Sequence, residues 1–223
     1  MTVVNGVKGN SVYDHLSNAI RSGVIKAGQT LTERGLAQQL GVSRTPIREA
    51  FRKLEEHGLV KYEPHKGVKV ITLSLERVIH LYQVRELLEG LAVRTLTELN
   101  DQEAIGELSA YIESAEKEAA VNNIKEMSII NTKFHLALAR LSGNGYLEDI
   151  MYMLQTHISL MMSTSLSHTG RPVENIEEHK MIINAIQSKD ADLAENVAKY
   201  HVRQARDHAL KMIEMDGWNN DGN

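Results

Sequence analysis

The fold of the N-terminal third is decided by residues 31–70, whose sequence is LTERGLAQQLGVSRTPIREAFRKLEEHGLVKYEPHKGVKV. Thr32 can cap a short helix, and after a turn Ser43 can cap a longer one over residues 44–57. Two alternating β-branched segments, LVKY and VKVI, then flank a turn that contains Pro and Gly, which predicts a hairpin. With an amphipathic segment at 11–22 in front, the order of elements is that of a winged helix-turn-helix.

The longer of these helices has two side-chain stripes. The apolar stripe, which can seat the helix on its neighbours, consists of Ile47, Ala50, Phe51 and Leu54. Arg44, Arg48 and Arg52 are spaced four residues apart and form the second stripe. Guanidinium groups match guanine edges and phosphates, and the major groove of DNA admits a helix that carries them. The alternative is a solvated face on which these arginines pair with neighbouring glutamates.

Charge is divided unevenly along the chain. Residues 1–74 hold 11 Lys/Arg and 6 Asp/Glu, a net charge of +5, whereas residues 75–223 hold 14 and 23, a net charge of −9. The turn of the hairpin adds His65, Lys66 and Gly67, which combine positive charge with a residue that allows close backbone approach. A basic region joined to an acidic one is expected if only the basic region meets nucleic acid.

The composition excludes several classes of protein. With 42% hydrophobic and 24% charged residues the chain is an ordinary globular protein, and because it has no Cys it has neither disulfides nor thiolate metal sites. The N-terminus lacks the apolar core of a signal peptide, and no apolar run approaches the ~20 residues that span a bilayer. We therefore expect a cytoplasmic protein with no membrane partner.

The chain after residue 74 has helical periodicity throughout. Six helices are predicted, at 75–98, 102–120, 123–141, 145–164, 173–188 and 190–214. Asn100 and Glu103 have the spacing of a capping box at the start of the second. Short connections between long amphipathic helices predict an antiparallel all-α bundle. The expected organisation is a flexible N-terminus at 1–9, a DNA-binding domain at 10–72, a helical domain for effector binding and dimerisation at 75–214, and a flexible tail at 215–223.

The quoted stretch resembles the DNA-binding domain of the GntR family of bacterial regulators, closely so over residues 11–72. The resemblance implies contacts with operator DNA. The predicted DNA-binding set is Arg34, Ser43, Arg44, Thr45, Arg48, His65, Lys66 and Gly67. Wings of this family usually carry Arg-Gly at the tip, whereas this chain has Lys-Gly, which keeps the charge but loses the bidentate fork. Such regulators are more often repressors that an effector releases from DNA.

Three histidines lie on apolar helix faces in the C-terminal part. His135, His179 and His201 belong to three different predicted helices, so their imidazoles can converge on a divalent metal. The alternative is that each is a hydrogen-bonded interior residue. His157 and His208 also fall on apolar faces, which shows how common such positions are in this chain.

Residues 75–214 resemble the FCD-type ligand-binding domain of FadR-like regulators, through the segments FHLALARLSGN, EEHKMIINAI and KYHVRQA. The resemblance implies a metal held by an Asp and three His, and a small organic acid as effector. The three histidines match, but Asn131 stands at the Asp position, and a neutral amide is a poorer ligand for a hard cation. We predict a divalent metal, Zn- or Ni-like, bound by Asn131, His135, His179 and His201.

Arg85 interrupts an apolar stripe in the first helix of this part. A buried guanidinium is costly unless it is paired. One partner is Glu89, one turn further on, and the other is an effector carboxylate held bidentately. The predicted effector site therefore comprises Arg85 together with Asn131 and the three histidines.

Two other classes of function compete with an effector-controlled regulator. An all-helical metalloenzyme would use the same histidines, but no Glu-x-x-His pair and no His-Glu-x-x-His motif occurs. An architectural DNA-binding protein, whose bundle only dimerises, stays open. We expect no enzymatic activity, and we expect a homodimer because paired half-sites multiply affinity for DNA.

Overall fold

The computed structural model describes residues 11–21, 24–64, 66–72, 74–164 and 172–215. The chain forms two compact units, one built mainly from residues before Ser74 and the other mainly from residues after it.

The first unit combines helices with a small antiparallel sheet. Its described helices are α1 (Val12–Arg21), α2 (Glu33–Leu40) and α3 (Arg44–Glu56), and its strands are β1 (Thr30–Leu31), β2 (Val60–Glu63) and β3 (Gly67–Val70). The winged helix-turn-helix is confirmed, but the prediction of a two-stranded wing was incomplete. Leu31 pairs with Val68, so that the described strands form one sheet in the order β1-β3-β2.

Local hydrogen bonds fix the two helices that follow β1. The Thr32 hydroxyl accepts a hydrogen bond from the Gly35 amide at 3.1 Å and caps α2, as predicted. Ser43 occupies the cap position of α3, but within the described residues its hydroxyl makes no capping hydrogen bond, so the prediction of a side-chain cap was wrong. The apolar stripe of α3 is buried against α1, α2 and the sheet, as expected for the helix that carries the exposed arginines.

Six described helices follow Ser74, each within one residue of its predicted bounds. They are α4 (Leu75–Leu99), α5 (Gln102–Ala120), α6 (Ile124–Leu141), α7 (Gly145–Thr164), α8 (Pro172–Gln187) and α9 (Ala191–Met215). All six contribute to one apolar core, in which Leu108, Phe134 and Leu138 are almost fully buried. Among the described helices, none is long and apolar enough to cross a membrane.

The predicted capping box at the start of α5 was wrong. Asn100 instead ends α4 in a left-handed conformation with φ of 50°. The next residue, Asp101, caps α5, and its carboxylate accepts hydrogen bonds from the amides of Glu103 and Ala104. Asn tolerates the left-handed region, whereas a carboxylate is the stronger acceptor for the positive end of a helix.

Candidate nucleic-acid interface and metal centre

The DNA-binding residues predicted from the sequence are exposed where the structure describes them. The exposed side chains are those of Arg34, Ser43, Arg44, Thr45, Arg48 and Lys66. His65 lies outside the described residues. These side chains come from α2, the start and middle of α3, and the turn between β2 and β3, which are elements of a single compact unit.

The N-terminal end of α3 is electropositive. Its first turn begins with Arg44 and contains no acidic residue. Within the described residues, the Ser43 hydroxyl accepts no hydrogen bond from the backbone amides of that turn, so these donors still point outward along the helix axis. A helix N-terminus with an adjacent guanidinium favours a phosphate.

Arg48 is held by a residue that the sequence analysis did not single out. Its Nε and Nη2 donate to the two carboxylate oxygens of Glu33, each at 2.9 Å. The Arg48 side chain is 72% exposed, and the Glu33 side chain is 30% exposed. The hydrogen bonds from Arg48 lower the pKa of the Glu33 carboxyl, and the nearby charge of Arg44 adds to the effect. Farther along α3, Arg52 forms an exposed ion pair with Glu56. Part of the arginine stripe is therefore paired with a neighbouring glutamate, as expected for a solvated face.

Gly67 has a structural reason to be glycine. Its φ is 106°, and a Cβ built there would lie 2.2 Å from the Leu31 carbonyl oxygen. The pairing of β1 with β3 therefore requires glycine at this position, independently of any approach to DNA.

In the second unit the three histidines meet. His135 on α6, His179 on α8 and His201 on α9 are all buried, and one ligand atom from each lies within 4.8 Å of the other two. Their ring centroids are separated by 4.8 to 5.2 Å. Imidazoles at these separations can share one ion after small side-chain rotations, which fits a metal held by nitrogen donors.

Two glutamates orient the imidazoles. His135 Nδ1 lies 2.9 Å from Glu89 Oε2, and His201 Nδ1 lies 2.6 Å from Glu178 Oε2. A carboxylate only accepts hydrogen bonds, so Nδ1 is the donor in both pairs, and in a neutral ring Nε2 then keeps its lone pair. The Nε2 atoms of His135 and His201 face each other at 3.4 Å. Two facing lone pairs in a buried site are the arrangement that a shared cation satisfies.

Two of the predicted metal ligands have a buried polar atom with unmet hydrogen-bonding capacity. Among the described residues, His179 Nε2 and Asn131 Oδ1 are buried without a hydrogen-bond partner. Asn131 lies one helical turn before His135 on α6, and Phe134 stacks on His179 with ring centroids 4.0 Å apart. An unmet buried polar atom costs about 1–3 kcal/mol, so both atoms fit a bound ion.

Burial keeps His135 and His179 in the neutral form that binds metals. It lowers the pKa of His135 to about 4, although the Glu89 carboxylate opposes the shift. Burial, with the other histidines, also lowers the pKa of His179 well below its ordinary value. Burial alone would raise the pKa of Glu89, but Arg85 and His135 outweigh it, so that the carboxylate stays ionised. Neutral imidazoles with free lone pairs are ligands for borderline divalent cations.

The structure forms one of the two pairs considered for Arg85. Its Nε donates to Glu89 Oε1 at 2.5 Å, and both side chains are buried. The same carboxylate contacts His135 through its other oxygen, so Glu89 connects Arg85 to the histidine cluster. The guanidinium also lies 5.6 Å from the ring centroid of Tyr82. A contact between Arg85 and an effector remains a prediction.

Sequence reasoning missed the role of Glu178. It directly precedes His179 in the chain, yet its carboxylate bonds to His201, 23 residues away on α9. Its position on α8 alone carries no signal for this contact, because only the packing of α8 against α9 brings the two side chains together.

Comparison with known proteins agrees with both units. The family model for bacterial regulatory proteins of the gntR family matches residues 8–70, and the FCD domain model matches residues 80–204. The chain is 30% identical to the uncharacterized HTH-type transcriptional regulator YdhC of Bacillus subtilis (strain 168) over 204 residues, which cover 91% of each chain. It is 30% identical to the gluconate operon transcriptional repressor of Bacillus licheniformis over 190 residues, 83% of this chain and 78% of that protein. In fold it is similar to E. coli McbR/YncC, with a TM-score of 0.77, 22% identity, and coverage of 93% of this chain and 97% of that one.

Proposed function

This chain belongs to the GntR family of bacterial transcription regulators and carries an FCD domain, and from this premise we propose that a carboxylate effector, bound at a metal ion in the FCD domain, controls binding to operator DNA. As a member of this family the chain is a DNA-binding regulator of transcription, and its relatives are regulators, not enzymes. The observation that carries the proposal is the convergence of three buried imidazoles, His135, His179 and His201.

The donor set favours a borderline cation. Three imidazole nitrogens suit Zn²⁺ or Ni²⁺, whereas Mg²⁺ and Ca²⁺ prefer carboxylate and carbonyl oxygens. The Asn131 amide oxygen supplies a fourth donor without charge. Glu89 and Glu178 lie behind the rings and bond to Nδ1, so the metal would be held by Nε2 atoms and the glutamates would orient them.

The charge of the site favours an anionic effector. Because an amide oxygen and metal-bound imidazoles carry no charge, the ligands Asn131, His135, His179 and His201 would leave the positive charge of the ion uncancelled. A carboxylate in an open coordination position would neutralise part of that charge. One relative is a gluconate operon repressor, and gluconate is itself a carboxylate. The proposed effector is therefore a small organic acid, and the proposed mode is repression that the acid relieves.

The proposal is tested by metal analysis, melting and DNA binding on the same full-length protein. We expect stoichiometric Zn or Ni in the purified protein, and an acid from a panel of small organic acids that raises the melting temperature. An acid at 100 times its Kd stabilises the folded state by about 2.7 kcal/mol. The same acid is expected to release operator duplex in a gel shift at fixed salt. An acid that binds without changing operator affinity would favour a bundle that only dimerises.

The Arg85–Glu89 pair gives a stability prediction. Arg85→Met leaves the Glu89 carboxylate buried with only His135 as partner, so the melting temperature is expected to fall by several degrees with or without effector. The double variant Arg85→Met/Glu89→Gln removes the stranded charge and is expected to recover part of the loss. If Arg85→Met binds metal as the wild type does but no longer responds to the acid that stabilises the wild type, Arg85 contacts the effector. An unchanged melting temperature in Arg85→Met would contradict a structural role for the pair.

On the DNA side, we propose that α3 enters the major groove and that the turn between β2 and β3 approaches the backbone. The exposure of three basic side chains supports this, because Arg44 and Arg48 suit base edges and Lys66 suits phosphates. The electropositive start of α3 adds amides and a guanidinium for a phosphate.

Arg48→Ala is expected to weaken operator binding by about 1–3 kcal/mol and to relax sequence preference, because it removes a bidentate base contact. Lys66→Ala serves as the contrast, since loss of a phosphate contact should weaken binding to every duplex and reduce the salt slope by about 1. Titrations of both variants against operator and a scrambled duplex at several salt concentrations separate the two effects. Equal affinity of Arg48→Ala and wild type for the operator would show that α3 does not contact bases through this residue.

We also propose that the active form is a homodimer that joins through α4. Val84, Leu87 and Leu91 lie on one face of α4 and are 46%, 63% and 43% exposed. Arg77 lies seven residues before this stripe and Glu98 seven residues after it, and both are exposed. In an antiparallel pair of α4 helices about a two-fold axis, each Arg77 therefore faces the partner's Glu98, so that the stripe is self-complementary.

A further inference from the structure

Glu33 and Arg48 form a geometrically specific pair on the face proposed to meet DNA. Glu33 begins α2 and Arg48 lies in the middle of α3, so the pair joins two helices. Both hydrogen bonds are 2.9 Å long, and they engage Nε and Nη2 of the guanidinium with the two oxygens of one carboxylate. A planar fork of this kind fixes the orientation of the guanidinium plane more tightly than a single contact.

The pair leaves the outer edge of the guanidinium available. Arginine has five N–H donors, and Glu33 accepts from two of them. The remaining donors, both on Nη1 and one on Nη2, form a second fork on the outer edge. A fork of this kind matches O6 and N7 of guanine in the major groove. Arg48 can therefore keep Glu33 while it contacts a base.

The carboxylate also changes the charge of the face. Glu33 lies close enough to both Arg44 and Arg48 for their charges to lower the pKa of its carboxyl, so it is ionised at neutral pH. An anion beside the phosphate backbone opposes binding to any duplex. On the correct sequence, the favourable free energy of the base contact can outweigh this repulsion. On a wrong sequence that contact is missing, so the repulsion is not offset. Repulsion that acts against all partners but is offset by one of them is a source of specificity.

We propose that Glu33 is a specificity-determining residue, which orients Arg48 toward a base and weakens binding to DNA that lacks that base. The inference rests on the proposed role of Arg48 in base recognition. It assigns to Glu33 no contact of its own with DNA.

The test compares Glu33→Gln with wild type on three duplexes: an operator selected from a random pool by the full-length protein, the same operator with single base substitutions, and a scrambled duplex. Because the variant loses the anion and the charged fork, its affinity for the scrambled duplex is expected to rise several-fold, and its ratio of operator to scrambled affinity to fall at least ~10-fold. Circular dichroism checks that the variant is folded. An unchanged ratio would overturn the proposal.

Two further variants separate orientation from charge. Glu33→Asp keeps the anion but is one methylene shorter, so it is expected to lower the specificity ratio without raising affinity for the scrambled duplex. Glu49→Gln removes the same charge from an exposed position on α3 and is expected to leave the ratio unchanged. If Glu49→Gln lowers the ratio as much as Glu33→Gln, general charge explains the effect and the inference fails.

Arg48→Ala distinguishes failure of the inference from failure of its premise. If Arg48→Ala leaves the specificity ratio unchanged, Arg48 does not contact a base. If Arg48→Ala lowers the ratio and Glu33→Gln does not, Arg48 contacts a base without help from Glu33, and only the inference is overturned.

Discussion

His179→Ala is expected to lower the affinity of the protein for Zn²⁺ or Ni²⁺ at least ~100-fold. Substitution of a residue that only orients a metal ligand lowers metal affinity about 10–100-fold, and loss of a ligand itself should lower it at least as much. The variant should still fold. The substitution leaves a small cavity beside Phe134, but it also removes a buried Nε2 that has no partner among the described residues. Calorimetric titration of metal-stripped protein gives the affinity, and melting curves with and without metal show whether the ion ties α6, α8 and α9 together.

Two variants sharpen this measurement. His80→Ala removes an exposed histidine on α4 and should bind metal as the wild type does. Asn131→Asp adds a charged oxygen one turn before His135, so it is expected to tighten metal binding and to weaken binding of the acid found in the effector screen. If the wild type holds no stoichiometric metal and binds none at neutral pH, the three histidines are interior polar residues and the metal proposal fails.

The helices and the wing could be predicted because their signals are periodic and local. In α3, apolar and arginine stripes follow the helical period, and the buried set of the structure is the apolar stripe named from the sequence. Each histidine of the cluster was identifiable because it interrupts an apolar face on its own helix. The family resemblance singled these three out from the ten histidines of the chain.

What the sequence does not contain is the pairing of side chains between elements. The hydrogen bonds that Arg48 donates to Glu33 and that His201 donates to Glu178 each join two helices and have no fixed spacing along the chain. Strand β1 is two residues long, too short for an alternating pattern, and it is recognised only through its pairing with β3. At the start of α5, two adjacent residues could each act as the cap. The choice depends on which backbone angles the end of α4 imposes on Asn100.

A substitution on the exposed face of α4 is also expected to have a large effect, because this face is the proposed dimer interface. Leu87→Glu places a charge in the middle of the exposed α4 stripe. Because a two-fold interface contains the substituted residue from both copies, the dimer would bury two such charges. We expect a monomer by size-exclusion chromatography with light scattering. Because the DNA-binding units of the two protomers then no longer bind one operator together, affinity for an operator with two half-sites is expected to fall ~10²–10⁴-fold, while affinity for a single half-site stays the same. Val121→Glu, at a 71% exposed valine after α5, is the matched control and should remain dimeric.

Charge reversal tests the arrangement of the two helices. Arg77→Glu alone would place two carboxylates opposite each other at both ends of the antiparallel pair and weaken the dimer. Adding Glu98→Arg restores opposite charges in the same register, so the double variant is expected to regain much of the lost association. Glu98 also pairs with Arg94 at 3.2 Å within its own helix, so Glu98→Arg alone is expected to destabilise each chain as well as to weaken the dimer. A dimer that survives Leu87→Glu would place the contact elsewhere on the chain. If Leu87→Glu is monomeric but the double reversal does not restore the association lost in Arg77→Glu, α4 still lies at the interface. The antiparallel register is then excluded, because only that register makes Arg77 and Glu98 reciprocal partners.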